Sequence, residues 1–95
     1  QRIERALEQR LYLVEGEVNI SQLVGKFHVF GTTGNIYTIT IAEYPNCTCP
    51  DFLRGNICKH ILFVFLRIGR LDHDDPRIWQ KSLLNTELES ILVMI

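Results

Sequence analysis

The three cysteines of this chain and one of its three histidines lie within residues 47–60, and this cluster constrains the fold more than any other feature. The spacing is Cys47-x-Cys49, then eight residues, then Cys58-x-His60. Three thiolates and one imidazole are the ligand set of a closed, tetrahedral structural zinc site. We therefore expect these four residues to bind one zinc ion. Because four strong protein ligands leave no position for water, the metal is expected to be structural rather than catalytic.

Two other interpretations of the cluster are weaker. A disulfide between Cys47 and Cys49 would close a very tight, strained ring and leave Cys58 unpaired. A catalytic dyad of Cys58 and His60 would need a third, orienting group, and it does not explain the other two cysteines. Neither accounts for all four residues as zinc binding does.

Composition limits the remaining possibilities. The chain has 95 residues, of which 46% are hydrophobic, so we expect one globular domain over residues 1–95 that a metal helps to stabilise. A formal charge of −1 argues against electrostatically driven binding to nucleic acid or to an anionic membrane. An odd number of cysteines, with neither a signal peptide nor a long apolar span, predicts an intracellular protein of the cytoplasm or nucleus. The start at Gln1 and the apolar end at residues 91–95 favour a fragment of a longer protein.

The first half of the chain predicts a helix followed by strands. Residues 1–10 carry apolar side chains at helical spacing, and residues 11–14 are β-prone and precede the turn residues 15–17. Residues 26–30 and 36–41 alternate in polarity and are joined by a glycine-containing loop, which predicts an antiparallel hairpin. His28 is expected to be a half-exposed strand residue and not a metal ligand.

The metal-binding stretch should connect this hairpin to a helix. Pro45 and Asn46 are expected to end the strand, and residues 51–56 to form a small loop. Cys58 should lie in a turn and His60 in the first turn of a helix over residues 60–70. That helix is apolar nearly all round, which predicts burial on several sides. If its cover is incomplete, Phe63 or Leu66 would belong to a partner surface.

The last quarter predicts two further helices. Asp75 should cap a short helix over residues 76–83 that begins at Pro76, with Ile78, Trp79 and Leu83 turned inward. We prefer this interpretation to a second metal site in the acidic run around His73. Residues 86–89 have the form of a capping box that opens the last helix. Its apolar stripe comprises Leu88, Ile91, Leu92 and Ile95.

The whole pattern resembles the SWIM-type zinc finger. The ligand spacing, the strand IYTITI before it and the helix CKHILFVFLRI after it all match that family. The resemblance implies a small α+β fold with a zinc-bound ββα core over about residues 35–70. Helices over about residues 1–10 and 76–95 would flank this core. Cys47, Cys49, Cys58 and His60 correspond to the family's four ligands.

The resemblance also implies two classes of function. The segments RALEQRLYLVEG and HDDPRIWQKSLLNTELESIL are similar to a subgroup in which the finger precedes a RING domain, in ubiquitin ligases and in a MAP kinase kinase kinase. We therefore expect a non-catalytic module that binds a protein substrate or partner and positions a RING domain, within a full-length protein that is a RING-type E3 ubiquitin ligase. The alternative is a DNA-binding finger of a chromatin, recombination or transposase protein, using Lys26, Arg54, Lys59, Arg67 and Arg70. These basic residues are interspersed with acids and form no evident stripe, so we favour the protein-binding class.

Overall fold

A four-stranded antiparallel sheet forms the first half of the molecule, and helical segments follow it. The computed structural model describes residues 11–31 and 34–95, so the helix expected over residues 1–10 lies outside the described residues. The strands are β1 (Tyr12–Asn19), β2 (Val24–Phe30), β3 (Ile36–Ile41) and β4 (Asn46–Cys47), in that spatial order. The helices are α1 (Pro50–Leu53), α2 (Lys59–Phe63), a π-helix (Val64–Ile68), a 3-10 helix (Pro76–Trp79) and α3 (Asn85–Leu92).

The predicted hairpin is confirmed as β2 and β3. Phe27 pairs with Ile39 and Val29 with Tyr37, so the apolar positions of the two strands share one face. Phe27, Val29 and Ile39 are buried on that face. The alternation in the sequence therefore predicted correctly which side of the hairpin faces the core.

The first strand is longer than the sequence predicts. Residues 15–17, expected to be a turn, lie inside β1, and the chain turns at residues 20–23 instead. Gly16 belongs in the strand because it pairs with Phe27, and a Cβ atom on it would lie 2.9 Å from the Cδ1 atom of that ring. This glycine makes room for a core side chain, a role that composition alone does not distinguish from a turn.

The apolar helix is buried, but it is not a regular α-helix throughout. From Val64 the backbone widens into the π-helix, in which the Gly69 N–H donates to the Val64 carbonyl at 2.7 Å. Phe63 and Leu66 have exposed fractions of only 8% and 9%, so both belong to the core and not to a partner surface.

The C-terminal quarter follows the prediction in part. Asp75 caps the helix that begins at Pro76, but this helix is a 3-10 helix of only 4 residues. It ends at Trp79, whose side chain is 45% exposed instead of inward, whereas Ile78 and Leu83 are buried. Helix α3 begins at Asn85, ahead of the predicted capping box. It ends at Leu92, which leaves Ile95 38% exposed and off the buried stripe.

Candidate metal centre

Strand β4 places the first cysteine. Strand β3 ends at Ile41, before Pro45 and Asn46, but Asn46 is not a break in the sheet: Asn46 and Cys47 pair with Thr40 and Ile39 of β3. The pairing is extended where the Thr48 N–H donates to the Thr38 carbonyl at 3.2 Å and the Thr38 N–H donates to the Thr48 hydroxyl at 3.0 Å. Cys47 is thereby fixed at a sheet edge, with its side chain in the core.

Cys49 begins the short helix α1, which replaces part of the loop expected over residues 51–56. Its backbone is extended, Pro50 occupies the first helical turn, and its sulfur accepts the Phe52 N–H at 3.4 Å. A proline at this position is favourable because its missing N–H would have no helical partner. Gly55, with φ of +95°, then reverses the chain after the helix. The segment between the second and third cysteines is therefore a compact turn that returns to the site.

Cys58 and His60 come from the start of α2, as predicted. Cys58 precedes the helix with extended backbone angles, and its carbonyl accepts the Leu62 N–H at 3.2 Å. His60 lies in the first turn of the helix and is 4% exposed. Because one residue lies before the helix and the other within it, two positions of i, i+2 spacing can reach one centre.

The structure brings the four side chains together in the interior. One ligand atom from each residue lies within 4.8 Å of those of the other three. The Nδ1 atom of His60 is 3.9 Å from the Cys47 sulfur. Zn–S and Zn–N bonds in a tetrahedral shell place ligand atoms about 3.5–3.8 Å apart. Small side-chain rotations would bring this cluster to that spacing, so it could hold one zinc ion.

The chemistry of the donor set fits zinc better than it fits a metal-free core. All three cysteines are free thiols, each at most 2% exposed. The Nε2 atom of His60 is buried without a hydrogen-bond partner. Burial of this polar ring is unfavourable, and a bond from its Nδ1 atom, which faces the Cys47 sulfur at 3.9 Å, to a metal would offset part of that loss. With four buried donors, a bound metal would have no open position at which a substrate could react.

The thiols interact strongly with one another. Hydrogen bonding to the Cys47 thiol lowers the pKa of Cys58 to about 4. The same pair interaction, together with burial, raises the pKa of Cys47. Burial also raises the pKa of Cys49, against the opposing effect of the Phe52 N–H. Three neighbouring thiols cannot all ionise in this dry space without a cation, so a bound dication would favour ionisation of all three.

The other two histidines lie apart from this cluster. Nδ1 of His28 is 3.1 Å from the Thr38 hydroxyl, and the side chain is half-buried in the sheet, as the sequence predicts. His73 is exposed next to the Asp75 cap. Within residues 11–31 and 34–95, the four residues above are the one group of His, Cys, Asp and Glu side chains that could hold a metal.

Sequence reasoning missed two neighbours of the site. The ring of Tyr37 packs against His60 with centroids 4.6 Å apart, and Gly31 lies beside the Nε2 atom of His60. The alternation of β3 does place Tyr37 on the core face, next to Ile39. No sequence signal indicated which helix residue it would meet.

Comparison with known proteins agrees with this geometry. Residues 37–69 match the family model of the SWIM zinc finger. The chain is 37% identical over 90 residues to human mitogen-activated protein kinase kinase kinase 1, covering 95% of this chain and 5% of that protein. It is equally identical to the rat protein of that name, over 95% of this chain and 6% of that protein. Mouse E3 ubiquitin-protein ligase Zswim2 is 32% identical over 57 residues, which is 59% of this chain and 9% of that protein. The chain thus spans a small part of each relative.

No solved structure matches the chain. Within the described part of the chain, each helix is too short or too polar to cross a membrane.

Proposed function

We propose that this chain, which carries a SWIM zinc finger at residues 37–69, is a non-catalytic protein-interaction module whose shape depends on one structural zinc ion. Cys47, Cys49, Cys58 and His60 are its proposed ligands. We propose further that residues 1–95 form one domain, with a zinc-bound ββα core over about residues 35–70 and flanking N- and C-terminal helices. The buried four-donor cluster is the support for the metal assignment.

An apolar groove beside the cluster is the observation that carries the interaction function. Its volume is about 360 Å³. Leu53 and Tyr44 on its rim are 72% and 67% exposed. Grooves of this size, lined mainly by apolar side chains, are typical binding sites for a small ligand or for a side chain of a protein partner. The lining residues are Tyr44, Pro45, Phe52, Leu53, Gly55, Asn56, Ile57, Ile61, Gln80 and Lys81.

The groove and the metal belong to one local structure. Phe52 and Leu53 lie in α1, which follows Cys49, and Ile57 directly precedes Cys58. Zinc bound to these cysteines would fix both ends of the segment that forms one wall. Binding of a partner should therefore depend on zinc although the metal does not touch the partner. This groove replaces Phe63 and Leu66 as the proposed partner surface.

The wider context follows from the relatives. One is named an E3 ubiquitin-protein ligase and another a protein kinase kinase kinase. We propose that the full-length protein is a RING-type ubiquitin ligase of the cytoplasm or nucleus. In it this module would recruit a substrate or partner and position the neighbouring RING domain. Three free, buried thiols are compatible with a reducing compartment.

Paired variants test the groove in the full-length protein. Leu53→Ser and Tyr44→Ser should each abolish capture of the partner identified by cross-linking to the wild-type groove. Both side chains are mostly exposed, so zinc content and melting temperature should stay unchanged. Ile36→Ser removes a 56% exposed side chain from the sheet and serves as the control. Equal partner capture by all the variants would contradict the proposal.

Titration with DNA distinguishes the second class of function. The net charge of −1 predicts no more than weak binding of duplex or single-stranded DNA at moderate salt. Micromolar affinity that falls steeply as salt rises would show that the finger binds nucleic acid instead.

A further inference from the structure

The imidazole of His60 is buried, and no hydrogen bond orients it through its Nε2 atom. Its Nε2 atom has no hydrogen-bond partner, and its residue is 4% exposed. Histidines that bind metals generally donate the second ring N–H to a carboxylate, a carbonyl or water, which fixes both the tautomer and the ring orientation. Among the described residues no such acceptor contacts this nitrogen. On the Nε2 side of the ring, the constraint that the structure shows is therefore packing by neighbouring residues.

Tyr37 is the side chain in position to do so. Its ring lies 4.6 Å from the His60 ring, centroid to centroid, at an interplanar angle of 46°. Strand β3 places Tyr37 on the core face, where it pairs with Val29 in the next strand. The hydroxyl makes a long contact of 3.4 Å with the Asn35 side-chain amide. The tyrosine is thus anchored by its strand, and its ring covers one side of the imidazole.

The consequence is a defined choice between the two ring nitrogens. Nδ1 faces Cys47, with 3.9 Å between this nitrogen and the sulfur. Nε2 faces away, towards Gly31 at the end of β2, where an added Cβ atom would lie 3.6 Å from it. Rotation of the ring by half a turn about the Cβ–Cγ bond would put carbon Cδ2 in place of Nδ1 and carbon Cε1 in place of Nε2, and the packed tyrosine ring opposes such rotation.

We infer that Tyr37 is a positioning residue of the zinc site, which holds the His60 ring so that Nδ1 binds the metal and Nε2–H remains a buried donor beside Gly31. This inference rests on the proposed ligand set and adds a residue outside it. Tyr37 itself offers no bond to the metal. Its contribution is to restrict the orientations that the His60 ring can adopt when zinc binds.

Affinity and spectroscopy test the inference together. Zinc affinity is measured by competition with a chromophoric chelator for wild type, Tyr37→Phe, Tyr37→Leu and the exposed control Tyr12→Leu. A contact between two aromatic rings corresponds to a change of about two- to tenfold in an equilibrium constant. Tyr37→Leu should therefore lose zinc affinity by this factor, while Tyr37→Phe and Tyr12→Leu stay close to wild type.

Long-range ¹H–¹⁵N spectra of the zinc-loaded proteins report the ring nitrogens directly. Wild type and Tyr37→Phe should each show one His60 species, with the metal on Nδ1 and the proton on Nε2. Tyr37→Leu should show a second orientation, or broadening from exchange between the two. A metal on Nε2 in wild type, or a single unchanged species with full affinity in Tyr37→Leu, would overturn the inference. So would equal losses of affinity in Tyr37→Leu and Tyr37→Phe.

Gly31 provides a second test that leaves the tyrosine in place. It does not have a positive φ, and an added Cβ atom would meet Tyr37, Asn35 and His60 at ordinary distances of 3.4–3.6 Å. The hydroxyl of Gly31→Ser could accept the Nε2–H, whereas Gly31→Ala adds the Cβ atom alone. Because partners of this kind change metal affinity by about tenfold or more, the serine variant should bind zinc more tightly than the alanine variant. Equal affinities would overturn the placement of Nε2–H beside Gly31.

The proposed ligand set is tested separately from the positioning role of Tyr37. If wild type binds no zinc, or if His60→Ala leaves the affinity unchanged, the proposed ligands are wrong. If His60→Ala loses zinc but none of the Tyr37 and Gly31 variants changes affinity or the spectrum, only the positioning role is refuted.

Discussion

Gly25→Ala should destabilise the fold, although the same change at an open position would stabilise it. A Cβ atom on Gly25 would lie 2.9 Å from Cε2 of Phe27 and 3.0 Å from Cδ2 of Leu92. The ring of Phe27 is 1% exposed, and its other edge would lie 2.9 Å from a Cβ atom on Gly16. The buried ring has little room to move aside, so strain also falls on the contact between the sheet and α3.

Two opposing effects determine how much Gly25→Ala changes the free energy of unfolding. Replacing glycine by alanine lowers the entropy of the unfolded chain, which stabilises a protein by about 0.4–1 kcal/mol where the side chain fits. Forcing one more carbon into a packed core destabilises by about 1–3 kcal/mol. Overpacking is the larger effect, so the net loss should be about 1–2 kcal/mol. In a domain of this size each kcal/mol lowers the melting temperature by about 4–8 °C.

Thermal unfolding of the zinc-loaded chain measures this loss, with Gly31→Ala as the matched control. Gly31 has room for a Cβ atom at ordinary contact distances, so its variant should melt at or slightly above the wild-type temperature. Gly25→Ala should cost less stability in a chain that already carries Phe27→Leu than in the wild type. The coupling free energy between the two sites should be favourable and at least about 0.5 kcal/mol. An unchanged or raised melting temperature for Gly25→Ala, or strict additivity in the double variant, would refute the packing argument.

Three further predictions concern other parts of the chain. Ile61→Ala should lower the free energy of unfolding by about 2–5 kcal/mol in urea, because the side chain is 1% exposed in the core. Asp75→Ala should cost about 1 kcal/mol in the same assay, because the carboxylate accepts the Arg77 N–H at 2.9 Å and caps the 3-10 helix. The hydrogen bond from Arg77 lowers the pKa of Asp75 below its ordinary value of 3.8. The stability difference between wild type and Asp75→Asn should therefore be constant from pH 8 to about pH 5 and shrink as the pH falls towards the lowered pKa, since the unfolded chain takes up the proton first. A difference that grows on acidification would contradict this assignment.

Local patterns predicted much of the fold. Alternating polarity located β2 and β3 and their buried face, and the pairing of Asp75 with Pro76 marked the start of a helix. The spacing of the cysteines and His60 predicted that these four side chains would meet, and the structure confirms that they do. These features depend on residues near one another in sequence, where periodicity and turn chemistry are informative.

Features that depend on tertiary contacts could not be obtained in this way. Gly16 has turn composition but lies in a strand because Phe27 occupies the space above it. Asn46 pairs with β3 although it follows a proline. The packing of Tyr37 on His60 joins positions 23 residues apart in sequence, and neither residue type indicates the other. In each case a contact with another element of the fold determined the outcome.

Zinc content and zinc-dependent folding test the central claim most directly. Elemental analysis of the purified native chain should give one zinc per molecule. Removal of zinc by a chelator, or the change Cys58→Ser, should unfold at least residues 45–70, since the free energy of binding a structural zinc is free energy of folding. Circular dichroism and amide hydrogen exchange should both report this loss. Absence of zinc from the native protein, or a spectrum and exchange pattern that a chelator leaves unchanged, would contradict the account.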